Sequence, residues 1–391
     1  MPGSKRGARG GGSIRKRKDG RWEARFTIGI DPGTGKDLRK SVYATTQKEA
    51  RKKMTEALAA LDQGDYQEPS RMSVGKWLDI WTEEYLGGIK PSTAFIYKEQ
   101  IRLHIKPAMG AVKLQELNPH FVQRFYNALG EPAESRPALS AKTVKNIHGI
   151  LHKALQQAVA IGYIRSNPTE FCSLPRIVKK ELTPLDEAQS KAFLQEIQGQ
   201  RFEVLFTVTL FTGMREGEAL GLMWNCVNFE DGTILIDKQL QQDKSANGTY
   251  VFTSPKNGKS RTITPAPWVM QLLRRHHLQQ TEQRLKIGPA WEDSGLVFVN
   301  ELGGHLAFRT VNKDFKRAVT AIGRPDARFH DLRHSYAVAA IRSGDDIKTV
   351  QGNLGHATAA FTLDVYGHVT ERMKHESANR MESYIKSVLD L

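Results

Sequence analysis

The densest chemistry in the sequence lies in His330-Asp331-Leu332-Arg333-His334-Ser335 and in Tyr366, with Leu354-Gly355-His356 shortly before the tyrosine. His330 and Arg333 stand three apart, so a helix projects them from one face. A guanidinium grips two phosphate oxygens in a fork, and an imidazole beside it moves a proton. A tyrosine near such a pair can attack phosphorus if another group takes its proton. Its phenol, with a pKa of about 10, is mostly protonated at neutral pH. The i, i+4 spacing of His330 and His334 also suits a zinc helix. Against zinc, the metalloprotease pattern needs Glu where Asp331 stands, and Arg333 places positive charge beside the metal. Any one of these residues taken singly is most often a surface or packing group, so the elements around them matter.

Those elements are legible in order. Residues 1–12 are glycine-rich and basic, with nothing to bury, and read as a disordered arm. Arg15-Lys16-Arg17-Lys18 leads to Asp19-Gly20, a two-residue hairpin signal. Trp22 to Ile28 alternates as a strand, Asp31-Pro32-Gly33 turns, and Leu38 to Tyr43 gives a third strand. Thr46 and Glu49 make a capping box for a helix whose face carries Ala50, Met54, Leu58 and Leu61. A small three-stranded sheet with one helix over residues 13–65, followed by a linker at 66–72, is a plausible DNA-binding module, with Arg15, Lys16, Arg17, Lys18 and Arg25 as its candidate contacts.

Residues 73–175 read as all-helical. Val74, Trp77, Leu78, Trp81 and Tyr85 repeat at helical spacing, and Pro91-Ser92-Thr93 starts a helix stopped by Pro107 and Gly110. Asn118-Pro119 opens a third through Phe121, Phe125 and Leu129. Ser140 opens a fourth, closed by Asn167-Pro168. From 176 to 391 the pattern is mixed. A helix from about 202 to 211 ends at Thr212-Gly213-Met214-Arg215, and a second follows through Leu220, Leu222 and Trp224. Strands are expected at 233–236 and 250–252, and Asn257-Gly258 marks a hairpin returning into Arg261-Thr262-Ile263-Thr264, with Lys256 near its tip. Helices follow at 267–286 and 308–321. Arg215 and Lys256 are each placed to reach into a cleft.

Composition narrows the partner. The net charge of +15 points to a polyanion. It is uneven, since residues 1–65 hold 16 lysines and arginines against 8 acids. Cys172 and Cys226 make no disulfide framework and no metal spacing, which fits a reducing cytoplasm. No apolar run is long enough to cross a membrane, and the basic, glycine-rich N-terminus is not a secretory signal.

With Arg215, Lys256, His330, Arg333, His356 and Tyr366 in this order, the chain resembles the tyrosine recombinases, the integrases of phages and conjugative transposons. The resemblance runs from about Ser13 to the C-terminus. It implies a multidomain α+β protein: an arm-binding module, a helical core-binding domain, and a mainly helical catalytic domain with a small antiparallel sheet. It also implies that Tyr366 attacks a DNA phosphate to give a 3′-phosphotyrosyl link. Arg215 and Arg333 hold the non-bridging oxygens, His330 takes the phenolic proton, Lys256 protonates the leaving 5′-oxygen, His356 bonds a phosphate oxygen, and Glu218 orients Arg215. No metal, ATP or other cofactor is expected. The partners implied are double-stranded DNA at core and arm sites, a homotetramer passing through a Holliday junction with 373–389 packing on a neighbour, and accessory DNA-bending or directionality proteins. A DNA-binding protein that lost catalysis is opposed by the intact six-residue set. A topoisomerase of the same chemistry is opposed by the separate basic N-terminal module.

Overall fold

The computed structural model describes residues 12–30, 35–62, 71–133, 137–178, 183–243, 249–355 and 371–389. It divides into two compact units, Met1–Val178 and Lys179–Leu391.

The first unit holds two hydrophobic clusters. One belongs to an antiparallel sheet of β1 (Ser13–Lys16), β2 (Trp22–Ile30) and β3 (Asp37–Ala44), covered by α1 (Gln47–Asp62). Alternation in β2 sends Ala24 and Phe26 to the helix, where they meet Ala50 and Met54. Asp19-Gly20 does mark the first hairpin, but the loop is wider than two residues: Lys16 pairs with Trp22, and Arg17 N–H donates to the Arg21 carbonyl at 2.8 Å. Gly20 takes the positive φ of 82° that this loop needs. Only half of the expected capping box forms. Thr46 accepts from the Glu49 amide, while the Glu49 carboxylate turns to Thr45.

The other cluster is built by α2 (Val74–Glu84), α3 (Pro91–Gln100), α4 (Lys106–Met109), α5 (Pro119–Leu129) and α6 (Ala141–Ala160). Ser73, Asn118 and Ser140 cap α2, α5 and α6 through their side-chain oxygens. Pro107 does not stop its helix as expected. A π turn at Ile101–Ile105 joins α3 to α4, so Pro107 falls in the first turn of the resumed helix, where its missing N–H costs least. The fourth helix ends at Ala160, short of Asn167, which instead caps a 3-10 turn. Trp77 and Trp81 are buried as expected of core, whereas Tyr85 and Phe121 reach the surface.

In the second unit, α7 (Glu187–Glu196), α8 (Glu203–Thr212), α10 (Pro267–Ile287), α11 (Phe308–Ala321) and α12 (Phe329–Arg342) surround an aromatic core. Phe206 of α8 meets Phe315 and Phe329 edge-on at 5.7 and 5.9 Å. Short helices α9 (Glu216–Leu220) and α13 (Ile347–Leu354) and the C-terminal α14 (Glu371–Leu389) complete the helical part. The expected helix through Leu222 and Trp224 is only α9; a 3-10 turn follows at Trp224–Cys226.

The strands form two sheets among the described residues. β4 (Val227–Asn228), β5 (Thr233–Ile236) and β8 (Arg261–Ile263) make one, and β6 (Gln239–Asp243) with β7 (Thr249–Thr253) makes the other. The expected hairpin around Asn257-Gly258 is therefore corrected. The turn is real, closed by Gly258 N–H to the Pro255 carbonyl at 2.8 Å, but it links two sheets: β7 pairs with β6, and β8 pairs with β5. Burial decides this, because Ile263 and Ile234 are both core residues and face each other across β5 and β8. The polar β6, Gln-Leu-Gln-Gln-Asp, carries no apolar alternation to announce a strand.

Trp77 ties α2 to α6 by donating its indole N–H to the Ala154 carbonyl at 2.9 Å, fully buried. Trp77→Phe leaves that carbonyl without its indole donor and a void beside it. We expect a loss of about 2 kcal/mol, read as a lower urea midpoint for the helical part.

Candidate active site

Four segments of the second unit converge on the carboxyl end of α13. The first is the break between α8 and α9. Gly213 caps α8 in the left-handed region at φ 66°, and a Cβ there would strike the Tyr336 ring and come within 2.7 Å of Leu354 Cδ2. Only glycine lets the chain turn so close to α12 and α13. The turn delivers Arg215 to the N-cap of α9, with its side chain about one-fifth exposed. Arg215 donates from Nη1 to Glu218 Oε1 at 2.6 Å and from its backbone N–H to Glu218 Oε2 at 2.9 Å. Its Nη2 reaches the Gly355 carbonyl at 3.4 Å.

The second segment is β8. Arg261 forks onto the same carboxylate, Nη1 to Oε1 at 3.0 Å and Nη2 to Oε2 at 2.6 Å, while its Nε donates to the Asn353 carbonyl at 2.8 Å. Glu218 is buried. Desolvation alone would raise its pKa, but hydrogen bonds and charge from Arg261, then Arg215, prevail and hold it at about 2.

The third segment is α12. Arg333 is buried, donating from Nη1 to the Gly213 carbonyl at 2.7 Å and from Nη2 to the Leu354 carbonyl at 2.5 Å. His330, one helical turn earlier, keeps an exposed edge while its ring stands perpendicular to His334, with centroids 4.8 Å apart. Desolvation, then the charges of His334 and Arg333, push its pKa down to about 4, and Arg215 adds to the effect. Its imidazole is thus neutral at pH 7 and can accept a proton. Among the described residues no group of three His, Cys, Asp or Glu side chains is arranged to hold a metal.

The fourth is the turn between β7 and β8. Lys256 is exposed on it, and the next residue, Asn257, donates from Nδ2 to the Gly355 carbonyl at 3.1 Å. Asn353, Leu354 and Gly355 thus present successive carbonyls to Arg261, Arg333 and Arg215. A helix carboxyl end carries partial negative charge, which favours guanidinium groups there.

Comparison with known proteins settles what kind of chain this is. Residues 183–373 match the model of the phage integrase family, and 73–130 match the phage integrase N-terminal SAM-like domain. A tyrosine recombinase XerC-like protein of Caldanaerobacter subterraneus is 30% identical, covering 89% of this chain and 92% of the relative. The chain belongs to the phage integrase family of tyrosine recombinases.

It is a tyrosine-type site-specific recombinase, an enzyme that cuts and rejoins DNA strands to integrate or excise a mobile element. The ICEBs1 integrase of Bacillus subtilis is 26% identical over 95% of this chain and all of the relative. The fold resembles the Tn1549 transposon integrase solved with circular intermediate DNA (22% identity, TM-score 0.66, 79% of this chain and 99% of that one). It also resembles the lambda integrase tetramer bound to a Holliday junction (18%, 0.55, 88% and 96%).

Of the residues expected at the recombinase site, Arg215, Glu218, His330 and Arg333 stand together, and the Lys256 turn is anchored beside them. His356 and Tyr366 lie outside the described residues. Arg261 was not singled out in the sequence; its local setting, the first residue of a short strand, gives no hint of a partner as distant as Glu218. In the N-terminal sheet, Arg15, Lys16, Arg17, Lys18 and Arg25 are all exposed. Arg15 is held by the buried Glu23 at 2.7 Å, and Arg17 lies over the Tyr43 ring at 5.4 Å.

Glu218→Gln breaks a buried ion cluster and should cost about 3 kcal/mol at pH 7, read as a lower urea midpoint. Because the folded pKa of about 2 lies below the ordinary 4.5, the wild-type advantage is full above 4.5 and fades as pH falls toward 2. A difference independent of pH across that window would refute the charged reading of Glu218.

Proposed function

We propose that Tyr366 is the nucleophile that cuts double-stranded DNA. Its phenolic oxygen bonds to the scissile phosphorus as the bond to the 5′-oxygen breaks, giving a 3′-phosphotyrosine and a free 5′-hydroxyl. His330 takes the phenolic proton, and Lys256 supplies the proton to the leaving oxygen. Arg215 and Arg333 bind the non-bridging oxygens and stabilise charge developing at phosphorus, with His356 adding a hydrogen bond. Glu218 orients Arg215. The bond energy stays in the phosphotyrosine, so the reverse attack by a 5′-hydroxyl rejoins the strand without metal or ATP.

The observation that supports this reading best is the meeting of Arg215 and Arg333, remote in sequence, on the Gly355 and Leu354 carbonyls beside a neutral His330. A phosphate oxygen is a stronger acceptor for a guanidinium than a peptide carbonyl, so an arriving DNA backbone can take over these donors.

The same proposal assigns residues 13–65 to arm-site DNA, 66–72 to a linker, 73–175 to core-site DNA and 176–391 to catalysis. It takes the recombinase to act as a homotetramer passing through a Holliday junction, in the cytoplasm with its DNA, and with accessory DNA-bending or directionality proteins. For the tetramer, α14 exposes Met381, Tyr384, Ile385 and Val388, an apolar strip suited to a neighbouring copy. Among the described residues no helix is long and apolar enough to cross a membrane.

Two outcomes test the chemistry. On nicked duplex carrying the core site, in EDTA, wild type should form a denaturation-resistant adduct. Tyr366→Phe should bind without forming one, and Arg333→Ala should lose about 3 kcal/mol of transition-state stabilisation; unimpaired cleavage by either variant sinks the assignment. The second is pH. A base with a pKa of about 4 in place of 6.5 stays neutral through mildly acid conditions. The second-order cleavage rate should therefore stay nearly level between pH 6.5 and about 5.5, where protonation of an ordinary imidazole base would lower it about fivefold.

A further inference from the structure

We propose that Arg261 is a positioning residue for strand cleavage, setting how Glu218 holds Arg215 and how α13 ends. This rests on the reading of Arg215 as a phosphate-binding residue. A carboxylate offers about four lone-pair sites. Here Oε1 takes Nη1 of Arg215 and Nη1 of Arg261, and Oε2 takes the Arg215 amide and Nη2 of Arg261. Arg261 thus fills one site on each oxygen and restricts Glu218 to a single guanidinium nitrogen of Arg215. Without that fork the carboxylate can turn to grip Arg215 by two nitrogens, the geometry such pairs favour. That turn withdraws Nη2, which now points to the Gly355 carbonyl at 3.4 Å.

The rest of Arg261 points the same way. Its Nε holds the Asn353 carbonyl, and its stem lies where a Cβ on Gly355 would come within 3.0 Å, against a residue at φ 62°. One side chain therefore registers β8, which follows the Lys256 turn, against α9 and the residue just before His356. Arg261 touches no reacting atom in this scheme; it acts through Arg215.

The test uses the full chain and nicked duplexes of a sequence selected by repeated rounds of binding to it. Each carries at the cleavage point either a normal phosphate or a methylphosphonate, which is neutral and gives Arg215 no charge to meet. Single-turnover adduct formation is followed on denaturing gels, with DNA affinity measured alongside. Arg261→Lys keeps the charge but loses the fork. It should slow cleavage of the phosphate about 30-fold or more, shrink to within about threefold of wild type on the methylphosphonate, and leave affinity within about threefold. An equal loss on both substrates, or none, overturns the positioning role. If Arg261→Lys melts early and binds no DNA, Arg261→Gln serves instead, with the same substrate-dependent loss expected and the same equal loss overturning the role. Failure of both variants to fold and bind DNA would make Arg261 a structural residue and overturn the positioning role too. Absence of any adduct from wild type on the phosphate would instead overturn the recombinase chemistry on which the proposal stands.

Discussion

Glu218 keeps a negative charge where almost no water reaches it, and the geometry of the site follows from how that charge is met. An isolated carboxylate in such a place would take up a proton. Two guanidiniums from different elements surround this one, together with a backbone N–H, so the carboxylate stays ionised far below its ordinary range. The arrangement has a price in desolvation, and a well-packed apolar pair would satisfy the fold as well. What the ionic cluster gives in addition is direction: it fixes a guanidinium that can face outward from a buried anchor.

The carboxyl end of α13 is the other half of that arrangement. Its last carbonyls lack partners within the helix and need donors. Arg261, Arg333, Arg215 and Asn257 supply them from β8, α12, the start of α9 and the turn before β8. Stability and poise thus come from the same contacts. In the proposed reaction Nη2 of Arg215 and of Arg333 is ordered before any DNA arrives, which lowers the entropy lost on binding, and each rests on a neutral carbonyl that a phosphate outcompetes. Burial first, and then neighbouring charge that includes Arg333 and Arg215, keeps His330 neutral, so under the proposed mechanism the guanidiniums that would bind phosphate also help to hold the base ready to accept a proton.

The N-terminal sheet uses a smaller version of the device. Glu23 points away from α1, on the face that carries the arginines, and is still buried because Arg15, Arg25, Ser41 and Tyr43 close over it. The hydrogen bond from Arg15, then that from Ser41, lowers its pKa despite burial. A basic surface is thereby given fixed side-chain directions, where a run such as Arg15-Lys16-Arg17-Lys18 alone would be a solvated charge cluster.

What the sequence determined by itself is whatever depends on near neighbours. Caps at Ser73, Asn118 and Ser140, the alternation of β2, and the His330–Arg333 face of α12 are all set within one or two turns of chain. They were legible for that reason, and the order of Arg215, Lys256, His330, Arg333, His356 and Tyr366 identified the family on top of them. Tertiary structure decided the rest. The pairing of β8 with β5 in place of β7 depends on burying Ile263 against Ile234, and the polar β6 becomes a strand only because β7 lies beside it. Pro107 is passed because a π turn resets the register. Arg261 acquires its partners only when α9 and α13 fold back upon β8, since a guanidinium's role is set by the acceptors brought within 3 Å of it, and those acceptors are far away in the chain.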